Sequence, residues 1–221
     1  MQQKNIITPK TARYFVLGEP TDQIETIWFV CHGYAQLANY FIKNFEIINN
    51  GKNLVIAPEG LHRFYWKDFT GKVVASWMTK EDRNEDINDY INYLDAVYKE
   101  VLSSFNPVKK VKINVLGFSQ GAATVCRWIE NKKHAINNLI LWAGAFPNDM
   151  NLEMNKEFFN RINILLVIGD NDEFINEQEV RTQENLLRKN GIKFQSLSFN
   201  GKHEIQKEII LKMEKELQKS S

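Results

Sequence analysis

A serine between two glycines is the first candidate for chemistry in this sequence. An apolar run ends in the stretch GFSQG at residues 117–121, and an amphipathic segment follows it. This order predicts a strand, a sharp turn that carries Ser119, and a helix. Such a turn strains the serine backbone and exposes the hydroxyl, while the free N–H groups of the helix start point toward it. The pattern favours a nucleophilic serine, and a plain turn without chemistry is the alternative interpretation.

A serine hydroxyl is a poor nucleophile at neutral pH and needs a neighbouring base. Of the four histidines, His203 is the one that follows a candidate acid in a loop after a predicted strand. It can take the proton of Ser119 and return it to the leaving group. Asp172 can hold the imidazole in the required tautomer and stabilise the imidazolium. Asp170 is its rival, and the spacing Gly-x-x-Asp favours Asp172.

Two backbone N–H groups are predicted to stabilise the negative oxygen of the reaction intermediate. One belongs to Gln120, at the start of the helix, and the other to Tyr34, in the loop after an early buried strand. Each such donor is typically worth about 3 kcal/mol in the transition state. Gly33 allows the backbone to turn its amide inward, and His32 is expected to hold this loop in place.

Apolar side chains near these groups are candidates for a substrate pocket, because pockets are mostly apolar with few polar groups. The sequence between residues 60 and 79 is rich in aromatic residues and is predicted to be irregular. Alternatively, aromatic residues such as Trp66 and Phe69 only cover the edge of the sheet. The candidate pocket residues are Leu61, Trp77, Met78, Phe146 and Phe174.

A metal site has little support in the sequence. His203 and Glu204 could act as ligands together with Asp170 and Asp172, but no histidine-rich spacing accompanies them. We therefore expect no metal and no cofactor.

These residues must be positioned by strands that alternate with helices. Apolar runs predict strands at Tyr14–Leu17, Ile24–Cys31, Leu54–Ala57, 111–118, Asn138–Ala143, Ile162–Ile168 and Phe194–Phe199. The first two are expected to form a hairpin or near-hairpin. Helices are predicted from Leu37 to Ile48, after Ser119, from Asn176 to Arg188 and from Ile205 to Leu217. Another helix is predicted to begin at Thr79, with Thr79 and Asp82 as its capping pair, and to stop at Asn106-Pro107. Such alternation predicts a mostly parallel sheet covered on both faces, with ligands at the carboxyl ends of the strands.

Length and composition are those of one soluble globular domain over residues 1–221. Hydrophobic residues make up 43% and charged residues 25%, and the net charge of +1 offers no general attraction for nucleic acid or anionic membrane. There is no apolar run of membrane-spanning or signal-peptide length, so we expect a cytoplasmic protein without an integral membrane segment. Cys31 and Cys126 are expected to be buried thiols, because each lies within an apolar pattern.

Four short motifs together resemble the phospholipase/carboxylesterase family, which includes small bacterial carboxylesterases and acyl-protein thioesterases. The motifs are HGY at 32–34, GFSQGA at 117–122, GDND at 169–172 and GKHE at 201–204. The resemblance implies an α/β-hydrolase fold without a large lid domain. It also implies a triad of Ser119, Asp172 and His203, with Tyr34 and Gln120 as oxyanion donors.

The sequence therefore predicts a serine hydrolase that cleaves short to medium acyl esters through an acyl-enzyme. A thioesterase acting on acyl-protein or acyl-CoA, or a peptidase, is the alternative within enzymes. A catalytically silent hydrolase-fold protein that binds a ligand is the alternative from another class. The expected partner is a small-molecule ester or thioester. The choice between monomer and homodimer stays open, because exposed aromatic residues can also form a dimer contact.

Overall fold

The computed structural model describes residues 1–105 and 110–219, and nine strands lie in these ranges. They are β1 (Tyr14–Leu17), β2 (Thr26–Cys31), β3 (Asn53–Pro58), β4 (His62–Tyr65), β5 (Val73–Ser76), β6 (Lys112–Phe118), β7 (Asn138–Trp142), β8 (Asn163–Gly169) and β9 (Gln195–Phe199). Seven of them form a sheet in the order β1-β3-β2-β6-β7-β8-β9, in which β1 is antiparallel to its neighbour and the others are parallel. The predicted, mostly parallel sheet is confirmed.

Helices cover both faces of this sheet. They are α1 (Ala38–Phe41), a 3₁₀ helix (Ile42–Ile48), α2 (Arg83–Ser103), α3 (Gln120–Lys132), α4 (Lys156–Phe159), α5 (Glu177–Lys189) and α6 (Lys207–Lys219). Alternate residues of β2 enter two separate cores: Ile27 and Phe29 pack with residues of α2 to α5, whereas Trp28 and Val30 pack with α1, the 3₁₀ helix and α6. This two-sided burial explains the continuous apolar run that the sequence shows there.

The predicted hairpin of the first two strands is wrong. β1 pairs with β3, with Phe15 opposite Ala57, and β3 lies between β1 and β2. β2 is buried along its whole length and has parallel partners, β3 and β6, on its two sides. Because both sides of β2 are occupied, the partly exposed β1 takes the edge of the sheet instead.

Three local predictions also need correction. Residues 60–79, predicted to be irregular, contain the antiparallel hairpin of β4 and β5. The helix predicted from Leu37 to Ile48 is one short α-helical turn followed by the 3₁₀ helix. Helix α2 begins at Arg83 rather than Thr79, because Asp82 adopts a left-handed conformation with φ of 47° and makes no side-chain cap. The predicted stop at Asn106-Pro107 lies outside the described residues.

The start of α5 follows the prediction closely. The Asn176 side chain accepts the N–H of Glu179 at 3.0 Å, and the Glu179 carboxylate accepts the N–H of Asn176 at 2.8 Å. This reciprocal capping box satisfies two N–H groups that a helix start otherwise leaves open. Short-range capping of this kind can be read from sequence because both partners lie within one turn.

Two further predictions concern the cysteines and the membrane. Cys31 and Cys126 are buried and unpaired, as predicted. Within the described ranges, none of the helices combines the length and the apolar character that crossing a membrane requires.

Candidate active site

Ser119 occupies a strained turn between β6 and α3. Its backbone has φ of 53° and ψ of −118°, a conformation that non-glycine residues rarely adopt. Its N–H donates to the carbonyl of Trp142 at 2.9 Å, which holds the turn against β7. Strand and helix approach so closely that a Cβ added to Gly117 would lie 2.3 Å from the carbonyl oxygen of Gly121. The two glycines of the motif therefore make the turn possible.

The structure brings Ser119, His203 and Asp172 together from three separate loops. His203 Nε2 lies 3.0 Å from Ser119 Oγ, and His203 Nδ1 lies 2.8 Å from Asp172 Oδ2. In the neutral imidazole that donates from Nδ1 to the carboxylate, Nε2 is free to accept the serine proton. The arrangement can activate a serine hydroxyl as a nucleophile.

The Asp172 carboxylate is fixed on both of its oxygens. Its side chain is fully buried, and its Oδ1 accepts the N–H groups of Phe174 at 2.9 Å and Ile175 at 3.0 Å. The rival Asp170 is exposed, and its backbone N–H donates to Phe199. The structure thus places Asp172, and not Asp170, against the imidazole of His203.

Two other histidines are held by carboxylates elsewhere. His62 Nε2 lies 3.0 Å from Asp86, and His134 Nε2 lies 2.9 Å from Asp95. Among the described residues, no group of three or more histidine, cysteine, aspartate or glutamate side chains is arranged to hold a metal ion.

The loop after β2 lies directly beside the serine turn. A Cβ added to Gly33 would lie 3.2 Å from Ser119 Cβ. The Gly33 N–H donates to Gln36 Oε1 at 2.8 Å, and the Ala35 N–H donates to the carbonyl of Ala75 at 3.0 Å. The Tyr34 N–H between them has no acceptor among the described residues. Together with the N–H groups that the start of α3 leaves open, it can donate to a negative oxygen.

His32 braces this loop from beneath. Its Nδ1–H donates to the Gly33 carbonyl at 2.7 Å, and its Nε2 accepts the N–H of Gly60 at 3.0 Å. Trp77 Nε1–H donates to the His32 carbonyl at 2.8 Å, and the two rings lie 5.1 Å apart. Burial lowers the pKa of His32 to about 4, so the ring is neutral at physiological pH.

A cavity of about 1090 Å³ opens beside Ser119. It extends between the loop after β7 and helix α5, over the carboxyl ends of β7, β8 and β9. Its apolar wall includes Leu141, Phe146, Leu166, Ile175, Val180 and Leu197. A cavity of this size and lining suits a small organic ligand.

The five candidate pocket residues lie in different places. Phe146 lines the cavity. Phe174 is exposed and packs edge-on against the His203 ring at 4.8 Å, whereas Trp77 is fully buried in the core. The carbonyl of Met78 accepts from Gln120 Nε2 at 3.0 Å, and that of Leu61 accepts from Lys10 Nζ. Trp77, Met78, Leu61 and Phe174 do not line this cavity.

Sequence reasoning missed the polar part of the cavity wall, which contains Arg83, Arg127, Asp149 and Gln183. Arg127 carried the only sequence signal among them, because it lies among apolar residues on the inner face of α3. A buried cation requires a partner, and Asp149 supplies it from a loop that the sequence does not link to α3.

Comparisons with known proteins agree with this architecture. The profile of the family described as phospholipase/carboxylesterase matches residues 19–221. A search of the curated proteins finds no significant match. Among solved structures, acyl-protein thioesterase 2 of Zea mays has a TM-score of 0.72 at 18% identity, covering 94% of this chain and 98% of that one. A carboxylesterase of Mesorhizobium loti has a TM-score of 0.72 at 17% identity, covering 96% and 98%. The likeness shows the α/β-hydrolase fold.

Proposed function

Because the chain belongs to the phospholipase/carboxylesterase family of hydrolases, we propose that it is a serine hydrolase that cleaves carboxylic esters through an acyl-enzyme. The observation that carries the proposal is the unbroken chain of contacts from Ser119 Oγ through His203 to Asp172, at 3.0 and 2.8 Å. A ligand-binding protein without catalysis has no need of all three side chains in this geometry.

Acylation follows from this geometry. His203 Nε2 takes the proton of Ser119 as the serine oxygen attacks the ester carbonyl. The N–H groups of Tyr34 and Gln120 donate to the oxygen that becomes negative in the tetrahedral intermediate. His203 then protonates the departing alkoxide, and Asp172 remains ionised and stabilises the imidazolium.

Deacylation repeats these steps with water. His203 takes a proton from a water molecule, which attacks the acyl-enzyme carbonyl, and the same two N–H groups stabilise the intermediate. Ser119 recovers its proton from His203 as the acid departs. The substrates we propose are short to medium acyl esters, whose acyl chains the cavity beside Ser119 can hold.

The test is hydrolysis of p-nitrophenyl acetate, butyrate and hexanoate by the wild type and Ser119→Ala. We expect the substitution to lower kcat by about 10⁴-fold or more, since loss of the nucleophile leaves only binding and oxyanion stabilisation. A fluorophosphonate probe should label the wild type and not the variant. Ser103→Ala, on the exposed end of α2, is the matched control and should keep the wild-type rate. Equal rates for wild type and Ser119→Ala would refute the assignment.

A thioesterase activity is the second candidate, because the fold likeness includes a protein named as an acyl-protein thioesterase. The same triad can cleave a thioester, whose thiolate leaves readily. Butyryl-CoA and p-nitrophenyl butyrate carry the same acyl group, so the ratio of their kcat/KM values separates the two activities. A higher value for the thioester would favour this second candidate.

A further inference from the structure

Three charged side chains in the cavity wall take no part in the proposed acyl chemistry. Arg127 projects from the inner face of α3, and its Nη2 lies 2.8 Å from Asp149 Oδ1. Arg83, at the start of α2, places its Nη1 3.1 Å from Asp149 Oδ2. All three residues line the cavity that contains Ser119.

In the cavity wall, two guanidinium groups face the single carboxylate of Asp149. Glu130, outside this cavity, also interacts electrostatically with Arg127 and Asp149. Burial acts to raise the pKa of Asp149, but the hydrogen bonds and positive charge of Arg127, together with the hydrogen bond from Arg83, lower that pKa overall, so the carboxylate is ionised. Arg127 is nearly buried, and its N–H groups donate to Asp149 and to the Tyr90 hydroxyl. Arg83 is 38% exposed and, within the described part of the chain, makes one hydrogen bond, to Asp149. Its remaining N–H groups are available to a ligand.

The carboxylates of the opposite wall are already engaged. Glu184 accepts from Arg188 at 2.9 Å and from the Ser196 hydroxyl at 2.6 Å. Glu179 belongs to the capping box at the start of α5, where the helix dipole favours a negative charge. Among the described residues, neither of these carboxylates forms an ion pair with Arg83.

Gln183 adds an independent observation. It lines the same cavity, and its Nε2 is buried and has no hydrogen-bond partner among the residues that the structure describes. A buried donor without a partner is destabilising, and an acceptor on a ligand would satisfy it. Leu186, one turn further along α5, lines a smaller cavity together with Pro147 and Asp149, so this face of α5 borders the loop of the cluster. Both features call for an acceptor-rich, anionic group.

The cluster is far enough from Ser119 to leave room for a chain. Arg127 follows Ser119 by eight residues on α3, which corresponds to about 12 Å along the helix axis. Apolar side chains such as Leu141 and Ile175 line the same cavity. We propose that the preferred substrates carry an acyl chain that ends in a carboxylate, and that Arg83 and Gln183 bind this carboxylate. This inference rests on the proposed ester hydrolysis.

The test compares mono-p-nitrophenyl suberate with its neutral analogue, in which the far carboxylate is capped as a methyl ester. Release of p-nitrophenol reports only the aryl ester. A charge-assisted hydrogen bond is worth about 1.5–3 kcal/mol, so we expect kcat/KM to favour the free acid by about tenfold or more. Arg83→Gln should lower kcat/KM on the free acid about tenfold relative to kcat/KM on the neutral analogue, so that the preference is abolished.

Two further variants sharpen the result. Arg181→Gln removes a positive charge from the exposed face of α5, outside the cavity, and should keep the preference for the acid. Gln183→Leu should lower the preference by a smaller factor than Arg83→Gln does. Equal or reversed kcat/KM values in an active wild type would overturn the carboxylate preference and leave ester hydrolysis standing.

Binding without turnover separates the two proposals. Calorimetric titration of Ser119→Ala with monomethyl suberate measures affinity in a protein that lacks the nucleophile. We expect Kd to rise by about tenfold when Arg83→Gln is added, the equivalent of about 1.4 kcal/mol. If this rise is found but the wild type cleaves none of the esters, the binding inference stands and the proposed function fails. An unchanged Kd would contradict the inference whatever the activity.

Discussion

Polar side chains lie at both ends of the strands of the central sheet, which we call the carboxyl edge and the amino edge, but their roles differ. At the carboxyl edge, where the strands end, Ser119, Asp172 and His203 meet beside an open cavity. At the amino edge, where the strands begin, an asparagine ladder consists of Asn114, Asn138 and Asn163, which are register partners on β6, β7 and β8. Asn163 donates to Asn138 at 3.0 Å and Asn138 donates to Asn114 at 2.6 Å.

The carboxyl edge also contains residues with strained backbones. Ser119, Ala35 and Ala143 follow the ends of β6, β2 and β7, and all three have a positive φ, between 47° and 58°. Such conformations cost about 1–3 kcal/mol each and persist where surrounding structure imposes them. The asparagine ladder instead matches donors to acceptors between neighbouring strands. At the carboxyl edge, strained residues and open donors thus lie where chemistry is proposed, whereas at the amino edge the satisfied contacts of the asparagine ladder fix the register.

The largest effect should follow from removing the Asp172 carboxylate at the carboxyl edge. In Asp172→Asn, the amide oxygen can still accept the N–H groups of Phe174 and Ile175, so the fold should persist. The imidazole of His203 then loses the carboxylate that fixes its tautomer, and we expect kcat on p-nitrophenyl butyrate to fall by about 10⁴-fold. Asp170→Asn is the matched control and should stay near the wild-type rate. Equal losses in both variants would contradict the assignment of Asp172.

The second prediction concerns His32, the buried histidine at the carboxyl edge, and the pH dependence of the free energy of unfolding. Burial lowers the pKa of His32 to about 4 from its ordinary value of 6.5, so between these values the unfolded chain binds a proton that the folded chain does not. The free energy of unfolding should therefore fall as pH falls through this window, by about 3 kcal/mol in total from this residue. Urea denaturation at intervals from pH 7 to pH 4 measures it.

The control for this pH dependence is His32→Asn, which cannot titrate. Its stability at pH 7 should be lower, because the contacts to Gly33 and Gly60 change. Its stability should nevertheless fall less steeply with decreasing pH than that of the wild type. Parallel slopes for the two proteins would show that His32 does not titrate as proposed.

The smallest effect concerns the amino edge. Asn138→Ala removes the central member of the asparagine ladder and leaves an acceptor on Asn114 and a donor on Asn163 without their partner. We expect the free energy of unfolding to fall by about 2 kcal/mol, since each orphaned polar group costs about 1–3 kcal/mol when buried. The rate on p-nitrophenyl butyrate should not change, because the substitution lies at the opposite edge from Ser119.

Asn39 in α1 provides the matched asparagine control. Its Oδ1 is buried and, in the part of the chain that the structure describes, has no hydrogen-bond partner. Asn39→Ala removes this unsatisfied acceptor, so stability should stay the same or rise by less than about 1 kcal/mol. A loss as large as that of Asn138→Ala would show that the ladder has no special role in stability.

Local signals in the sequence predicted much of the fold and the candidate site. The turn at Ser119, the capping box at Asn176 and the buried run of β2 each depend on residues within a few positions of one another. The order of strands and helices placed Asp172 and His203 in loops at the same edge of a parallel sheet. The candidate catalytic residues could therefore be named from the sequence.

Long-range choices could not be predicted in this way. The pairing of β1 with β3 depends on which strand edges remain free once β2 has two parallel partners. The segment predicted to be irregular contains the hairpin of β4 and β5. The prediction missed it because apolar and aromatic residues do not by themselves reveal which strands pair. The wall of the cavity comes from α5 and from the loop of Asp149, and no local pattern links these segments to Ser119.

The amino-acid sequence by itself determined which side chains end the strands, because hydrophobic periodicity and turn-forming residues act over short distances. Only the tertiary structure decided that two arginines share Asp149 in the cavity wall and that three asparagines align across the amino edge. These contacts join residues more than twenty positions apart, and packing of the whole sheet and its helices sets the distances between them.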